Sequence, residues 1–139
     1  MVEYVLTLDK EQAKEIQNAL EVIIRWKLKQ PELMKDCLPD RLNWKRGADF
    51  DISLSKRKAA TELLRAANDL LVPYDYSNPS LDQPLKDEQW HRIYNIFQVI
   101  RHAIWESEEP HAYWTVDSGD PFDSYGVGLP KIEWKKKDD

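Results

Sequence analysis

Three long segments of this sequence carry apolar side chains at helical spacing, and they restrict the fold more than any other feature. The first is predicted over about residues 10–29, because Asp9 can cap a helix and Gln12 three residues later completes a capping box. It must end near Pro31, which disfavours helical geometry in the residue before it. Its apolar face comprises Ala13, Ile16, Ala19, Leu20, Ile23 and Ile24.

The second helix is predicted to begin at the N-cap residue Ser55 and to end at Leu71, and the third to run from Asp87 to about Glu106. Residues 31–37 could add one short helix. We interpret residues 37–53 as an irregular basic connection and residues 72–84, which contain three prolines, as an exposed loop. The apolar stripe of the second helix is expected to pack in the core. It comprises Ala59, Ala60, Leu63, Leu64, Ala67, Leu70 and Leu71.

The two ends of the chain carry strand patterns. "EYVLTL", residues 3–8, alternates in side-chain character with a period of two, and "AYWTVD" (112–117) and "GVGLPKIEW" (126–134) resemble strands joined by a turn-rich connection. We therefore predict an α+β fold, with two long helices and shorter helices packed on a small antiparallel sheet formed by the N-terminal strand and the C-terminal strands. Residues 1–134 are expected to form one globular domain, and residues 135–139 a disordered charged tail.

Composition narrows the functional classes. The 139 residues carry a net charge of −5, so a long nucleic acid is an unfavourable partner. Half of the 20 Lys and Arg residues lie between Arg25 and Lys58, so a small anion remains a possible ligand. The sequence lacks an apolar run long enough for a membrane span and lacks a signal peptide pattern, which predicts a cytoplasmic protein. Cys37 is the only cysteine, so neither an intrachain disulfide nor a cysteine zinc site can form.

The stretch "FQVIRHAIW" places a permanent cation among large apolar side chains. On a helical wheel of about 100° per residue with Phe97 at zero, Arg101 falls at about 40° and His102 at about 140°. The apolar face around Phe97 comprises Trp90, Ile93, Tyr94, Ile100 and Ile104. The polar side carries His91, Asn95 and Gln98 with His102. Arg101 is therefore the anomaly on this helix.

A guanidinium that is removed from water needs an acidic partner, because burying it without one costs on the order of several kcal/mol. One interpretation is a structural pair with a carboxylate of the same chain or of a neighbouring subunit. The other makes Arg101 the floor of a pocket, where its planar fork grips a phosphate or stacks on a base. Aromatic walls for such a pocket could come from Phe97, Trp105, Tyr113 or Trp114.

Catalytic and metal-binding patterns are weak in this sequence, and we predict a protein that is not an enzyme, without catalytic residues, cofactor or metal site. His91 and His102 lie about 16 Å apart along one helix and cannot share a metal ion. His111 has no identifiable catalytic partner. Three carboxylates in "DSGDPFD" could bind a cation weakly, but their spacing is not that of an EF-hand loop, so a solvated acidic turn is the favoured interpretation: Asp117, Asp120 and Asp123.

The start "YVLTLDKEQ", the segment "VIRH" and the ending "LPKIE" resemble the recurring features of a family of small proteins encoded by bacteriophages and prophages. On that pattern Arg25, Gln30, Arg101 and His102 fall on recurrent polar positions. The sequence departs from the family where glycines follow the first arginine, because residues 26–29 are "WKLK" here.

That family is similar to the phage anti-Thoeris sponges, which implies a non-enzymatic protein that sequesters a cyclic ADP-ribose type of signal and so blocks bacterial immune defence. The resemblance also implies a homo-oligomer that acts in the host bacterial cytoplasm. In this interpretation arginines bind phosphates and aromatic rings stack on the base. The candidate ligand-binding residues are Arg101, Arg25, Phe97, Trp105, His102 and Trp114.

An alternative from another class is a phage protein that inhibits a host protein through an acidic docking surface. The segment from Glu106 to Asp123 contains six carboxylates and neither Lys nor Arg. Replacement of Arg101 separates the two hypotheses, because it should abolish ligand capture under the first and only destabilise the protein under the second.

Overall fold

The structure, a computed structural model, describes residues 1–34, 48–72, 86–108 and 115–136, and helices are the main regular elements in this part of the chain. Within these ranges lie four α-helices, and the predicted sheet is absent from them, so the predicted α+β class is wrong. The helices are α1 (Lys10–Lys27), α2 (Pro31–Met34), α3 (Ala48–Leu71) and α4 (Glu88–Ser107). Two 3₁₀ helices follow them, Val116–Ser118 and Ser124–Gly126. None of the described helices has the length and apolar character needed to cross a membrane.

The chain divides into two compact units, each of which contains part of α1 and part of α4. The first unit combines Met1–Leu20 with His91–Asp139, and the second is Glu21–Trp90. The predicted tail, residues 135–139, falls mostly outside the described residues, as do nearly all of the predicted loop at 72–84 and residues 37–47 of the predicted basic connection.

The predicted N-terminal strand is an extended segment that forms no backbone ladder with any other segment the structure describes. Tyr4 and Val5 are each 94% exposed. Of the two predicted C-terminal strands, "AYWTVD" is described only from Thr115, where it enters a 3₁₀ helix, and residues 126–134 are largely exposed and irregular. A period-two pattern yields a strand only where a second strand edge is available. In the first unit, side chains of α4 bind the C-terminal segment instead.

The N-terminus of α1 confirms the predicted capping box. The Gln12 N–H donates to Asp9 Oδ1 at 2.8 Å, and the Asp9 N–H donates to Gln12 Oε1 at 3.0 Å. Each side chain therefore satisfies a backbone group that the first turn of a helix leaves without a partner.

The C-terminus of α1 is a tight turn in which a lysine takes the place usual for glycine. The Gln30 N–H donates to the Arg25 carbonyl at 2.9 Å, and the Lys29 N–H donates to the Trp26 carbonyl at 3.1 Å. Lys29 has φ of 58°, the left-handed conformation that closes a helix in this way. The sequence "WKLK" thus closes this helix without a glycine.

In the second unit, α3 is attached to the end of α1 through polar groups. Asn68 is 1% exposed, and its Nδ2 donates to the Trp26 carbonyl at 2.7 Å. Lys29 Nζ donates to the carbonyls of Asn68 and Val72 at 3.4 and 3.1 Å. A cation at the last carbonyls of a helix complements the helix dipole.

α3 differs from its prediction in both extent and orientation. It begins at Ala48, so the predicted N-cap Ser55 lies inside the helix. Leu63, Leu70 and Leu71 are 73%, 86% and 72% exposed, so the expectation that this stripe packs in the core is wrong. Of the other stripe residues, Ala59 and Ala60 are exposed. Leu64 and Ala67 are half-buried.

The start of α4 agrees with its prediction to within one residue. Asp87 Oδ1 accepts a hydrogen bond from the Trp90 N–H at 3.1 Å, and Asp87 Oδ2 accepts one from Lys27 Nζ at 2.7 Å. The Trp90 indole N–H donates to the Ile24 carbonyl at 3.4 Å. One carboxylate therefore caps α4 and ties it to α1 within the second unit.

In the first unit the polar side of α4 is buried. Asn95, Gln98 and His91 are 0%, 2% and 3% exposed. Asn95 Nδ2 donates to the Gly128 carbonyl at 2.7 Å and to Asp123 Oδ1 at 2.9 Å. The sequence predicts these three residues to be on the polar side of the helix. In the structure that side is covered by the C-terminal segment and not exposed to water.

Two further contacts hold that segment along α4. Gln98 Nε2 donates to the Phe122 carbonyl at 3.0 Å, and the Phe122 N–H donates to Gln98 Oε1 at 3.2 Å. His91 Nδ1 lies 2.6 Å from Ser124 Oγ, and its ring stacks on Tyr125 at a centroid distance of 4.7 Å. Tyr125 has φ of 63°, an unfavourable conformation for a bulky residue that the stacking helps to compensate.

We expect Asn95→Ala to lower the free energy of unfolding by about 2 kcal/mol or more, because it removes a fully buried amide together with its hydrogen bonds to the Gly128 carbonyl and the Ser124 N–H. Urea denaturation measures this loss, and cleavage by chymotrypsin after Phe122 and Tyr125 should become faster. Asn18→Ala, at an exposed position of α1, is the matched control. An Asn95 variant as stable and as protease-resistant as the control would contradict this role.

We also expect Asp87 to contribute to the acid sensitivity of the protein. Burial raises the pKa of the Asp87 carboxyl, but the hydrogen bond and charge of Lys27 and the N–H groups of Trp90 and Gln89 outweigh burial, so this pKa lies below its ordinary value of 3.8. A carboxyl group whose pKa is lower in the folded chain than in the unfolded chain stabilises the fold at pH values above its unfolded pKa. This contribution is lost as the pH falls through the folded pKa.

Asp87→Asn should therefore be less stable than wild type by about 1 to 2 kcal/mol at pH 7, and the difference should shrink as the pH approaches 3. Urea midpoints at several pH values measure it. Asp120→Asn, whose side chain is fully exposed, serves as the control. A constant difference from pH 7 to pH 3 would show that the charge of Asp87 is not involved.

Candidate functional site

The candidate site is built on the C-terminal half of α4, in the first unit. Arg101 follows Phe97 by one helical turn, and its guanidinium carbon lies 5.0 Å from the centre of the Phe97 ring. The Arg101 side chain is only 18% exposed, and Phe97 is 6% exposed. The Phe97 ring therefore packs against the guanidinium and offers little surface to a ligand. The sequence instead predicts Phe97 as an aromatic wall of a binding pocket.

Arg101 lacks good hydrogen-bond partners. Its Nε is buried without a hydrogen bond, and the nearest carboxylate oxygen, Asp117 Oδ1, lies 3.6 Å away. The Asp117 side chain is 51% exposed. Within the described part of the chain, the two terminal nitrogens of Arg101 make no hydrogen bond. The structural pair proposed from the sequence is thus present only as one long contact, and most of the five donors remain available.

His102 joins the same site through the backbone of Asp117. His102 Nδ1 lies 3.0 Å from the Asp117 carbonyl oxygen, so this nitrogen carries the proton in the contact. The imidazole ring stacks on Trp105 at a centroid distance of 5.4 Å and an angle of 29°. Arg101 and His102 diverge on the helical wheel, and both meet Asp117 because the chain after α4 folds back over them.

Asp117 is the residue of this site that the sequence analysis did not assign to it. It is predicted there only as part of an acidic turn, and nothing in its local sequence indicates which basic residue it faces. The only sequence signal for Asp117 is indirect: an arginine on the apolar face of α4 requires a carboxylate from some other segment, and Asp117 is one of several that follow the helix.

The remaining candidates lie elsewhere. Arg25 belongs to the second unit, where its Nη1 donates to Gln30 Oε1 at 2.8 Å and its Nη2 lies 3.5 Å from Glu21 Oε1. Its side chain is 33% exposed, less than the solvent-facing position expected on the wheel. Trp114 lies outside the described residues, as do Tyr113 and His111.

Two carboxylates at the end of α4 and just after it, Glu106 and Glu108, have partners within the first unit. Glu108 lies 3.0 Å from Lys10 Nζ and 3.4 Å from Lys14 Nζ, and the hydrogen bond from Lys10 is the main reason that the Glu108 pKa lies below its ordinary value. Glu106 accepts a hydrogen bond from the Trp134 indole at 3.3 Å. A docking surface formed by these carboxylates would have to compete with internal partners.

The described residues provide no group of three side chains that could hold a metal ion. Asp117 faces Arg101, and Asp123 accepts hydrogen bonds from Asn95 and Gly128. Asp120 is fully exposed, 4.0 Å from His102 Nε2. The three carboxylates of "DSGDPFD" therefore have separate partners.

Comparison with known proteins leaves this geometry as the main guide to function. No protein-family model matches the chain, and no curated protein and no solved structure is significantly similar to it.

We expect Arg101→Met to change the free energy of unfolding by about 1 kcal/mol or less, because methionine retains most of the packing on Phe97 and removes a donor without a partner. Lys27→Met is the matched comparison, since it breaks a well-formed pair with Asp87 and leaves that carboxylate uncompensated. Urea denaturation measures both. A loss of about 3 kcal/mol or more in Arg101→Met would identify a structural ion pair instead.

Proposed function

We propose that this protein binds a small phosphorylated ligand at Arg101 and sequesters it without catalysing a reaction. The observation that supports this most directly is the largely buried Arg101 side chain, whose Nε is buried without a hydrogen bond and whose terminal nitrogens make none within the described part of the chain. Phosphate oxygens are strong acceptors, and a guanidinium can bind two of them at once. A bound phosphate would supply the partner that Asp117 provides poorly.

The neighbouring rings suit an aromatic group attached to that phosphate. His102 and Trp105 form a stacked pair on the next turn of α4, and both side chains are half-buried. A purine or nicotinamide ring of the ligand could extend this stack while its phosphate reaches Arg101. We therefore infer a nucleotide rather than inorganic phosphate as the preferred ligand.

The resemblance to the phage family makes this proposal more specific. In it, the nucleotide is a signalling molecule of the cyclic ADP-ribose type, and the protein acts in the cytoplasm of an infected bacterium to block a Thoeris-like defence. The shared "VIRH" segment contains both Arg101 and His102. The ligand class rests on the resemblance, whereas the phosphate site rests on the geometry of Arg101.

The alternative, inhibition of a host protein through the acidic segment, receives less support. Glu106, Glu108 and Asp117 each have a partner inside the first unit. A protein that uses these carboxylates for docking would have to break those contacts, which offsets part of the electrostatic gain.

We expect protein purified from bacteria with an active defence system to retain its ligand. Native mass spectrometry of the folded protein, followed by analysis of small molecules released by heat, should detect an ADP-ribose-derived nucleotide. Empty protein is then titrated by calorimetry with cyclic ADP-ribose, ADP-ribose and pyrophosphate.

Two substitutions at the site should act in opposite directions. Arg101→Met should weaken binding by about 10-fold to 100-fold, the value of one or two charge-assisted hydrogen bonds. Asp117→Asn should strengthen it, because it removes the carboxylate that competes with the phosphate for Arg101. Arg92→Met, at an exposed position of α4 outside the site, should leave affinity unchanged. Empty protein that binds none of the three probes would overturn the proposal.

A further inference from the structure

The orientation of α3 is the reverse of what its sequence favours, and this observation is independent of the proposed ligand site. The side of α3 that packs within the second unit includes Asn68, which is 1% exposed, Val72 at 7% and the half-buried Thr61. On an ideal helix these residues lie about 140° to 180° from Leu63. The most exposed leucines of the stripe, Leu63 and Leu70, therefore point away from the unit to which α3 belongs.

The exposed residues have the spacing of a helix-pairing surface. We define the α3 seam as Ala59, Leu63, Ala66 and Leu70, which follow one another at intervals of four, three and four residues. These intervals are the heptad spacing of helices that pack side by side, and on an ideal helix the four residues lie within about 60° of arc. All four are exposed. Leu63 and Leu70 are 73% and 86% exposed.

The order of sizes along the α3 seam identifies its partner. Small and large residues alternate, so the seam is complementary to a copy of itself that runs in the opposite direction. In that arrangement Leu63 lies opposite Ala66 of the second copy, and Ala59 lies opposite Leu70, so every layer contains one large and one small side chain. A self-complementary surface is what a two-fold symmetric interface requires.

We propose that the α3 seam joins two copies of this chain as an antiparallel helix pair. The contact spans about 18 Å of helix, which places the interface at the small end of specific interfaces. We therefore expect a dissociation constant in the micromolar range. Glu62 and Asp69 flank one side of the seam, and Lys29 lies 3.3 Å from Asp69 and neutralises part of that charge.

Sedimentation equilibrium of the full chain tests the interface. At about 200 μM the wild-type protein should have twice the 16.4 kDa mass of one chain. The double variant Leu63→Glu with Leu70→Glu should raise the dissociation constant at least 100-fold and sediment as a monomer. Its circular dichroism should remain helical, because both side chains are exposed within one chain. Leu54→Glu, on the opposite side of α3 and 46% exposed, should leave the dimer intact.

Cysteine cross-linking tests the direction of the pair in a Cys37→Ser background. Oxidation of a mixture of Ala59→Cys and Leu70→Cys proteins should give the mixed disulfide dimer, whereas each variant alone should cross-link poorly. Efficient cross-linking of Ala59→Cys with itself would indicate a parallel pair and overturn the antiparallel arrangement. A wild-type protein that stays monomeric at the highest concentration, or an assembly that the double glutamate variant does not weaken, would overturn the interface itself.

Discussion

The amide of Asn95 is the interaction on which the first unit depends. Its two N–H groups donate to Asp123 and Gly128, and its oxygen accepts from the Ser124 N–H at 2.9 Å and from Gln98 at 3.4 Å. A side chain with no exposed surface must have its polar atoms satisfied, and here the partners come almost entirely from one segment, residues 123–128. The path of that segment is therefore fixed by α4.

This constraint also explains why the chain forms no sheet in its described part. The amide of Gln98 binds both the N–H and the carbonyl of Phe122, which are the two groups that a neighbouring strand would have used. An amide side chain on a helix thus substitutes for a strand edge. The N-terminal segment, with Tyr4 and Val5 almost fully exposed, has no strand edge beside it in that part of the chain.

Local signals predicted α1 and the start of α4 well, because the interactions that begin and end them are local. Asp9 and Gln12 form the expected capping box, α1 ends before Pro31, and Asp87 caps α4. The sheet and the role of the α3 stripe could not be predicted in this way, because both depend on which segments meet in space. Side-chain periodicity identifies an apolar face, but it does not say whether that face meets its own chain or another molecule.

The site shows the same division between what is local and what is not. Sequence spacing identified Arg101 as a cation on an apolar face, and its position over Phe97 follows directly from the helical repeat. Asp117 could not be assigned, since its approach to Arg101 depends on the fold of the chain after α4.

The exposure of Leu63 and Leu70 and the poor pairing of Arg101 are two features that the described part of the chain leaves unsatisfied. Leu63 and Leu70 remain in water, at a cost of about 1.5 to 3 kcal/mol for each leucine relative to burial. Arg101 has been taken largely out of water without receiving the hydrogen bonds that water provided. Each is a local cost to folding that the other described residues do not remove, and binding of a further molecule would remove it. A stripe of apolar side chains calls for another apolar surface, whereas a buried cation calls for a compact anion, so the two features require different kinds of partner.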